Sequence, residues 1–429
     1  MGASLDRSYR ALLRVPTLGR VLISMQIARI AQSMVSVAIV LFTLDRYGSA
    51  AFAGFVTFAS IFPGLLIAPL AGALLDRHGR IRLVIVDYAV ALLAMLVIGV
   101  LAVLDALPGP LLVAIALVSS LTAILSHVGL RTLFPILVPE HLWERVNAVD
   151  SNGYVVATIL GPPIAAALVA VLGGAVALLI IGAAFGIAAL ALVGVPEPPA
   201  PAASSKGSLL VDAWDGLLYT ARNPTLRGLG FAVTLVNLAN GMFTIVIPLI
   251  VLNRLELSEA VVGLVFAVSG ISGVASAFLF GRMDTRGREW KLLVWPLVAF
   301  GPSVALLLVA AGQSAFVPLG LAVLLIESLI IGFLYGPLDI ALFTVRQRRT
   351  DPAWMGRAFA VSMAFNFLGL PIGAALAGIL AESSIETAIL LLGVGGATAA
   401  TAAATFLVPR TDPAQGPGAS AAPIVSDGP

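Results

Sequence analysis

Gly72-Ala73-Leu74-Leu75-Asp76-Arg77-His78-Gly79-Arg80-Ile81-Arg82 is a charged stretch set between two long apolar ones, and it occurs twice. The second, degenerate copy is Asp284-x-x-Gly287-Arg288, displaced by 208 positions. The same offset relates Arg14-Val15-Pro16-Thr17-Leu18 to Arg222-Asn223-Pro224-Thr225-Leu226, Arg46 to Arg254, and Gly161-x-Pro163-Ile164 to Gly369-x-Pro371-Ile372. One such pair is chance; four sharing an offset mark an internal duplication, and a repeat this long is a statement about architecture. In a membrane protein it means two similar bundles that move against each other around a central site.

The composition supports the membrane reading. Of the 429 residues, 60% are hydrophobic and 11% charged, and the mean hydropathy is +1.06. Soluble domains have about 45–50% apolar and about 25% charged residues. Crossing a hydrocarbon core of about 30 Å takes about 20 apolar residues in a helix. Twelve such stretches are predicted near 21–44, 50–75, 83–104, 111–131, 149–172, 175–194, 229–251, 259–281, 292–312, 317–341, 357–381 and 387–408. The fold class expected is an all-α membrane protein in two six-helix bundles. Six helices per repeat is an even number, so both halves enter the membrane in the same direction. Of the 24 Lys and Arg residues, 21 fall on the side of the N-terminus and only Arg46 and Arg254 on the other, with Arg29 embedded. The positive-inside rule then places both termini in the cytoplasm.

Residues 1–195 and 229–410 form the expected bundles, joined by a linker at 196–228 and followed by a tail at 411–429. The linker opens with Pro196-Glu197-Pro198-Pro199 and continues into a segment whose Leu210, Trp214, Leu217 and Leu218 can share a helix face along the membrane surface. The tail is rich in Pro, Gly, Ala and Ser, a composition that favours disorder. Basic residues spread over membrane-proximal loops are not a nucleic-acid signature, and the lipid bilayer is the macroscopic partner implied. With no cysteine there is no disulfide framework or thiolate metal site, and the first apolar stretch is too long for a cleaved signal. No phosphate-binding loop and no histidine ligand spacing occurs, so neither an enzyme nor a cofactor or metal requirement is indicated.

The Gly72–Arg82 stretch resembles the signature loop of the major facilitator superfamily, Gly-x-x-x-Asp-Arg-x-Gly-Arg-(Arg/Lys), with Ile81 where a basic residue is usual. Asp87 also resembles that pattern. The resemblance covers nearly the whole chain and implies a monomeric secondary transporter with gating elements at Gly72, Asp76, Arg77, Gly79 and Arg80 and, by the repeat, Asp284, Gly287 and Arg288. It implies that Asp76 faces the start of the eleventh helix near Arg357, and that Asp284 faces the start of the fifth near Asn147 and Asp150. A solvated loop that only sets topology is the alternative. In the fifth helix, Gly153 to Ile164, including Gly161 and Pro162, resembles the signature of drug–proton antiporters, with alanines where that pattern prefers glycine. Arg131 to Glu140 resembles a branch containing macrolide, tetracycline and siderophore exporters.

Ionisable side chains within a membrane are costly and default to functional hypotheses. Glu327 and Arg29 both lie near the midplane, Glu327 about 15 Å from its end of the tenth helix. Glu327 is the proton-coupling candidate, with a structural hydrogen bond between helices as the alternative; Arg29 either assists it or anchors a helix. Whether the two touch is not legible. Helical spacing of polar residues predicts a cavity lined by Gln26, Ser33, His127, Asn237 and Tyr335; Asn240, Asn366 and Tyr154 are further candidates, and a packing role is the alternative for His127. Arg131 and Asp339, themselves 208 apart, are candidates for a gate ion pair. The function expected is export of small hydrophobic or amphipathic compounds in exchange for protons. Alternatives are an exporter of one metabolite, siderophore or lipid-like molecule, a proton-independent facilitator, or a scaffold or receptor that does not transport.

Overall fold

A computed structural model of the chain describes residues 8–196, 209–281, 283, 287–313, 315–351 and 354–410. Twelve helices are long and apolar enough to cross a membrane, and no strand occurs among the described residues. The first six are α1 (Leu18–Tyr47), α2 (Ala50–His78), α3 (Arg80–Val103), α4 (Gly109–Gly129), α5 (Trp143–Leu172) and α6 (Gly174–Leu192). The second six are α7 (Pro224–Leu249), α8 (Glu259–Phe280), α9 (Glu289–Ala311), α10 (Val317–Arg348), α11 (Met355–Ser383) and α12 (Ile385–Leu407). An even number of crossings puts both ends of the chain on one face, called here the terminal face.

Most helices overrun the apolar runs that predict them. The 30 residues of α1 span about 45 Å, against a hydrocarbon thickness of about 30 Å. The overrun is possible because charged side chains reach backbone acceptors at the interface. Arg20, one turn into α1, donates to the Ala191 and Val193 carbonyls at the end of α6 (3.1 and 2.6 Å). The duplicated Pro-Thr-Leu segments mark helix starts: α1 begins at Leu18, and α7 begins at Pro224, where Asn223 Oδ1 accepts from the Thr225 and Leu226 amides (3.0 and 3.1 Å). The duplicated loop glycines have a backbone reason to be glycine, since Gly79 and Gly287 sit at φ 93° and 74°.

Lipid supplies no hydrophobic force between helices, so close packing needs small residues and polar links. A Cβ at Gly369 would fall on the Thr234 carbonyl and one at Gly373 on the Leu238 carbonyl, which brings α11 against α7. Ser272 and Ser276 on α8 donate to the Leu329 and Phe333 carbonyls of α10 (2.6 and 2.5 Å), and Ser24 on α1 to Ala188 on α6 (2.6 Å). The outer surface is left to apolar side chains such as Leu66, Ile187, Phe278, Ile379 and Phe406.

The two bundles meet along α2 with α11 and α5 with α8. Their tight glycine contacts lie in the half away from the terminal face: Gly54 against Ala374, Gly378 against Ala50, Gly263 against Pro163 and Ala166, and Gly270 against Ile159. At the far face Glu382 of α11 accepts from Ser49 Oγ (2.6 Å) and from the Ala51 amide in the first turn of α2 (3.0 Å). Toward the terminal face, α5 instead shows an exposed stripe of Asn147, Ser151, Tyr154 and Thr158 at helical spacing. Polar side chains at that spacing face a wet cleft rather than lipid. The molecule is sealed at the far face and open toward the termini.

Within the linker, a helix spans Leu209–Arg222. Tyr219 stacks on Trp354 at 5.0 Å and accepts from the Asp351 amide (3.0 Å), docking this helix at the start of α11, while Trp214 and Leu217 are exposed. Residues 197–208, the tail at 411–429 and Asp284 lie outside the described residues.

The glycine contacts set a test. Gly373→Val should lower the thermal unfolding midpoint of purified protein by the equivalent of about 1–3 kcal/mol through overpacking. Gly230→Ala, where an added Cβ meets nothing within 4 Å, should not lower it. Equal midpoints for the two variants would contradict the packing.

Candidate functional site

The open cleft is lined by two walls of different chemistry. On the N-terminal bundle, Asp150 of α5 lies about 10 Å along its helix and binds two arginines. Arg29 of α1 donates through Nη2 to Oδ1 (2.5 Å) and through Nη1 to the Asp150 carbonyl (2.8 Å). Arg131, in the single turn that follows α4, forms an ion pair with the same carboxylate, its Nε 2.9 Å from Oδ2. One carboxylate thus ties α1, α4 and α5 together. The side chains of Arg29 and Asp150 are 14% and 9% exposed, whereas that of Arg131 is 51% exposed. Tyr154, one turn along α5 and exposed, places its ring 5.9 Å from the Arg29 guanidinium. His127 is exposed one turn before Arg131.

Other residues expected in the cavity on this side are packed. Gln26 presses its side-chain oxygen on Gly153, and its Nε2 is buried without a hydrogen-bond partner. A Cβ at Gly161 would lie 2.5 Å from Ser33 Oγ, so these two residues form an α1–α5 contact and not a cavity surface. Pro162 lies beside it, half-buried.

The C-terminal bundle answers with amides. Asn237 Nδ2 donates to the Asn366 carbonyl (2.9 Å), Asn240 Nδ2 donates to Asn237 Oδ1 (3.1 Å), and the Tyr335 hydroxyl donates to Asn240 Oδ1. With its amide oxygen turned to the cation, Asn366 also accepts from Arg346 Nη2 (2.8 Å) and donates to the Ser362 carbonyl (3.0 Å). The chain links α7, α10 and α11, and it brings together four candidate residues that the sequence distributes over three helices. Arg346, counted by sequence among the loop cations, is fully enclosed.

Glu327 is 1% exposed. Its Oε2 accepts from Ser328 Oγ (3.2 Å), and its Oε1 has no hydrogen-bond partner among the described residues. A contact the sequence left open and a candidate ion pair are both absent here. Arg29 does not pair with Glu327, because Asp150 of its own bundle takes both of its terminal nitrogens. Arg131 likewise pairs with Asp150 and not with Asp339, which is exposed on α10; the open cleft separates the bundles at that level. The expected neighbourhood of Asp284 with Asn147 and Asp150 lies outside the described residues, and both Asp150 oxygens face arginines. Of the signature loop, Gly79 starts α3 and Arg77 is exposed at the end of α2; Arg80 is half-buried, and Arg288 precedes α9. Gly72 lies within α2, and the side-chain surroundings of Asp76 and Arg357 lie outside what is described.

Two pseudo-symmetric bundles around a cleft with one open end define a membrane transport protein of the twelve-helix class. The chain belongs to the Major Facilitator Superfamily, whose sequence profile matches residues 21–232 and again 229–426. It is similar to the uncharacterized MFS-type transporter y4rN of Sinorhizobium fredii, 36% identical over 92% of this chain and 96% of that one. It is also similar to the multidrug efflux pump Tap of Mycolicibacterium fortuitum, at 24% identity over 82% and 88%. The enterobactin exporter EntS of Escherichia coli is 23% identical over 75% and 74%. Among solved structures, the nucleoside transporter NupG superposes with a TM-score of 0.71 at 13% identity, over 91% of this chain and 98% of that one.

The Asp150 clamp sets an order of stabilities. Removing one partner of a buried pair costs about 3–5 kcal/mol, whereas a half-exposed pair contributes about 0–1 kcal/mol. Asp150→Asn should therefore unfold at a markedly lower temperature than Arg131→Gln, with Arg131→Gln close to the parent. Equal losses for the two, followed by thermal unfolding of purified protein, would contradict the assignment of the buried bond to Arg29.

Proposed function

We propose that the protein is a secondary active exporter of small hydrophobic or amphipathic compounds, working by alternating access and exchanging its cargo for protons. The observation that carries this reading is the polar-lined cleft between the bundles, open at the terminal face and sealed at the other. The distribution of basic residues supports a cytoplasmic terminal face in the cell membrane, so the open state loads from inside. The efflux pumps among the relatives support the outward direction.

Glu327 is proposed as the proton site. Among the described residues it is the acid of the C-terminal bundle with an unmet oxygen in the packed interior, and its repeat equivalent is Ser119. Its protonation state then depends on whether water reaches it as the bundles rock, which is the coupling that antiport needs. The amide chain from Asn366 to Tyr335 holds α7, α10 and α11 as one body, so that this half moves without dissolving its own polar contacts. Asp87, buried in α3 against Thr122 and Ser126 of α4, is enclosed within the N-terminal bundle and is assigned a structural part.

The test is transport in proteoliposomes against a panel of macrolide, tetracycline and siderophore compounds, with and without an imposed proton gradient. Gradient-driven export should occur in the parent protein and be abolished by Glu327→Gln, while equilibrium binding of the transported compound survives. Gradient-driven export that is unchanged in Glu327→Gln would remove Glu327 from the coupling role.

A further inference from the structure

The charged groups facing the open cleft are distributed unevenly. On the N-terminal wall two guanidiniums share one carboxylate, leaving a net positive charge at the cleft. Arg29 is spent: both terminal nitrogens are bound to Asp150, and the side chain is nearly enclosed. Arg131 is not. Asp150 approaches it on the Nε side at 2.9 Å, while the side chain remains half-exposed. Its Nη1 and Nη2 form no hydrogen bond among the described residues. A guanidinium held by an ion pair on its Nε side still has two terminal N–H groups in the spacing that matches two oxygens of a carboxylate or related oxyanion.

The geometry points to Arg131 as an anion-recognition residue, so that the transported molecule carries an acidic group on an apolar or aromatic body. The inference rests on the cleft being the substrate path. Asp150 acts as the positioning residue, since it holds Arg131 in place and neutralises Arg29 behind it. The exposed ring of Tyr154, with Phe343 and Phe365 exposed on the opposite bundle, offers apolar contact for the body of the molecule. Asp339 is exposed at the equivalent end of α10 and forms no ion pair among the described residues, so it repels an acid from the opposite wall. The acid end of the cargo therefore lies on the N-terminal bundle. Glu327, sealed in its own bundle, does not compete for it.

Two xanthene dyes of opposite charge test this: fluorescein, an anion at mildly alkaline pH, and pyronin Y, a cation. Each is titrated against purified full-length protein in detergent, with fluorescence anisotropy as the readout. Fluorescein should bind at least about tenfold more tightly than pyronin Y, the size of one charge-assisted contact. Arg131→Gln should cost fluorescein about tenfold and leave pyronin Y unchanged, Arg131→Lys should restore part of the loss, and Asp339→Asn should preserve the preference. A parent protein without preference, whether both dyes bind alike or neither binds, overturns the proposal. So does a preference that Arg131→Gln leaves intact, the result expected if Arg131 serves only to grip Asp339 in a closed state. Binding is read without a gradient, so failure of proton-driven transport and failure of anion recognition are separate results.

Discussion

Lipid cannot solvate a charge, and that constraint organises the whole molecule. It leaves the outer surface to apolar side chains and forces each polar group toward a partner or toward water between the bundles. Asp150 shows the constraint at its sharpest. A lone carboxylate two turns into a membrane helix is untenable, but one that binds Arg29 by side chain and backbone, and Arg131 by its second oxygen, is a three-helix fastener. The same constraint makes the wet stripe from Asn147 to Thr158 diagnostic of an open cleft. It also singles out the unmet oxygen of Glu327, on which the proposed proton site rests.

Duplication supplied the moving frame, and divergence supplied the chemistry. Gly79 and Gly287 both turn the chain at positive φ. Gly161 and Gly369 each draw the fifth helix of its bundle onto the first. Against this shared frame, Arg29 stands opposite Asn237, Arg131 opposite Asp339, and Glu327 opposite Ser119. A symmetric pair of bundles permits two equivalent end states. In the proposed mechanism, unequal charges let a cargo and a proton each favour a different one, which converts rocking into directed exchange.

The fold was legible in the sequence because lipid enforces long apolar runs, and because a repeat reports its own period. The site was legible as residue types and helix faces, not as partners. Asn237 and Tyr335 are legible by spacing, and Asn240 and Asn366 as polar residues in membrane helices, but their hydrogen-bonded chain depends on how three helices are rotated, which the sequence does not state. The sequence shows Asp150 only as a residue at the start of the fifth helix, because the apolar run begins at 149, whereas α5 begins at Trp143 and carries the residue two turns inside the bundle. Arg29 and Glu327 share a depth, yet depth along a helix does not say which bundle a side chain faces. The far-face contact of Glu382 with Ser49 and Ala51 left no sequence signal, since its partners include a backbone amide more than 300 residues away.

The central claim is that the two faces open in turn. The chain contains no cysteine, so paired single cysteines can be labelled without background. Spin labels on Ser151→Cys with Phe343→Cys report the terminal face, and labels on Asp45→Cys with Glu256→Cys report the far face. Distances measured by pulsed electron resonance in lipid nanodiscs, at mildly acid and mildly alkaline pH, give the answer. Alternating access predicts that the terminal-face distance shortens as the far-face distance lengthens. Distances that stay fixed, or that change in the same sense at both faces, would contradict it.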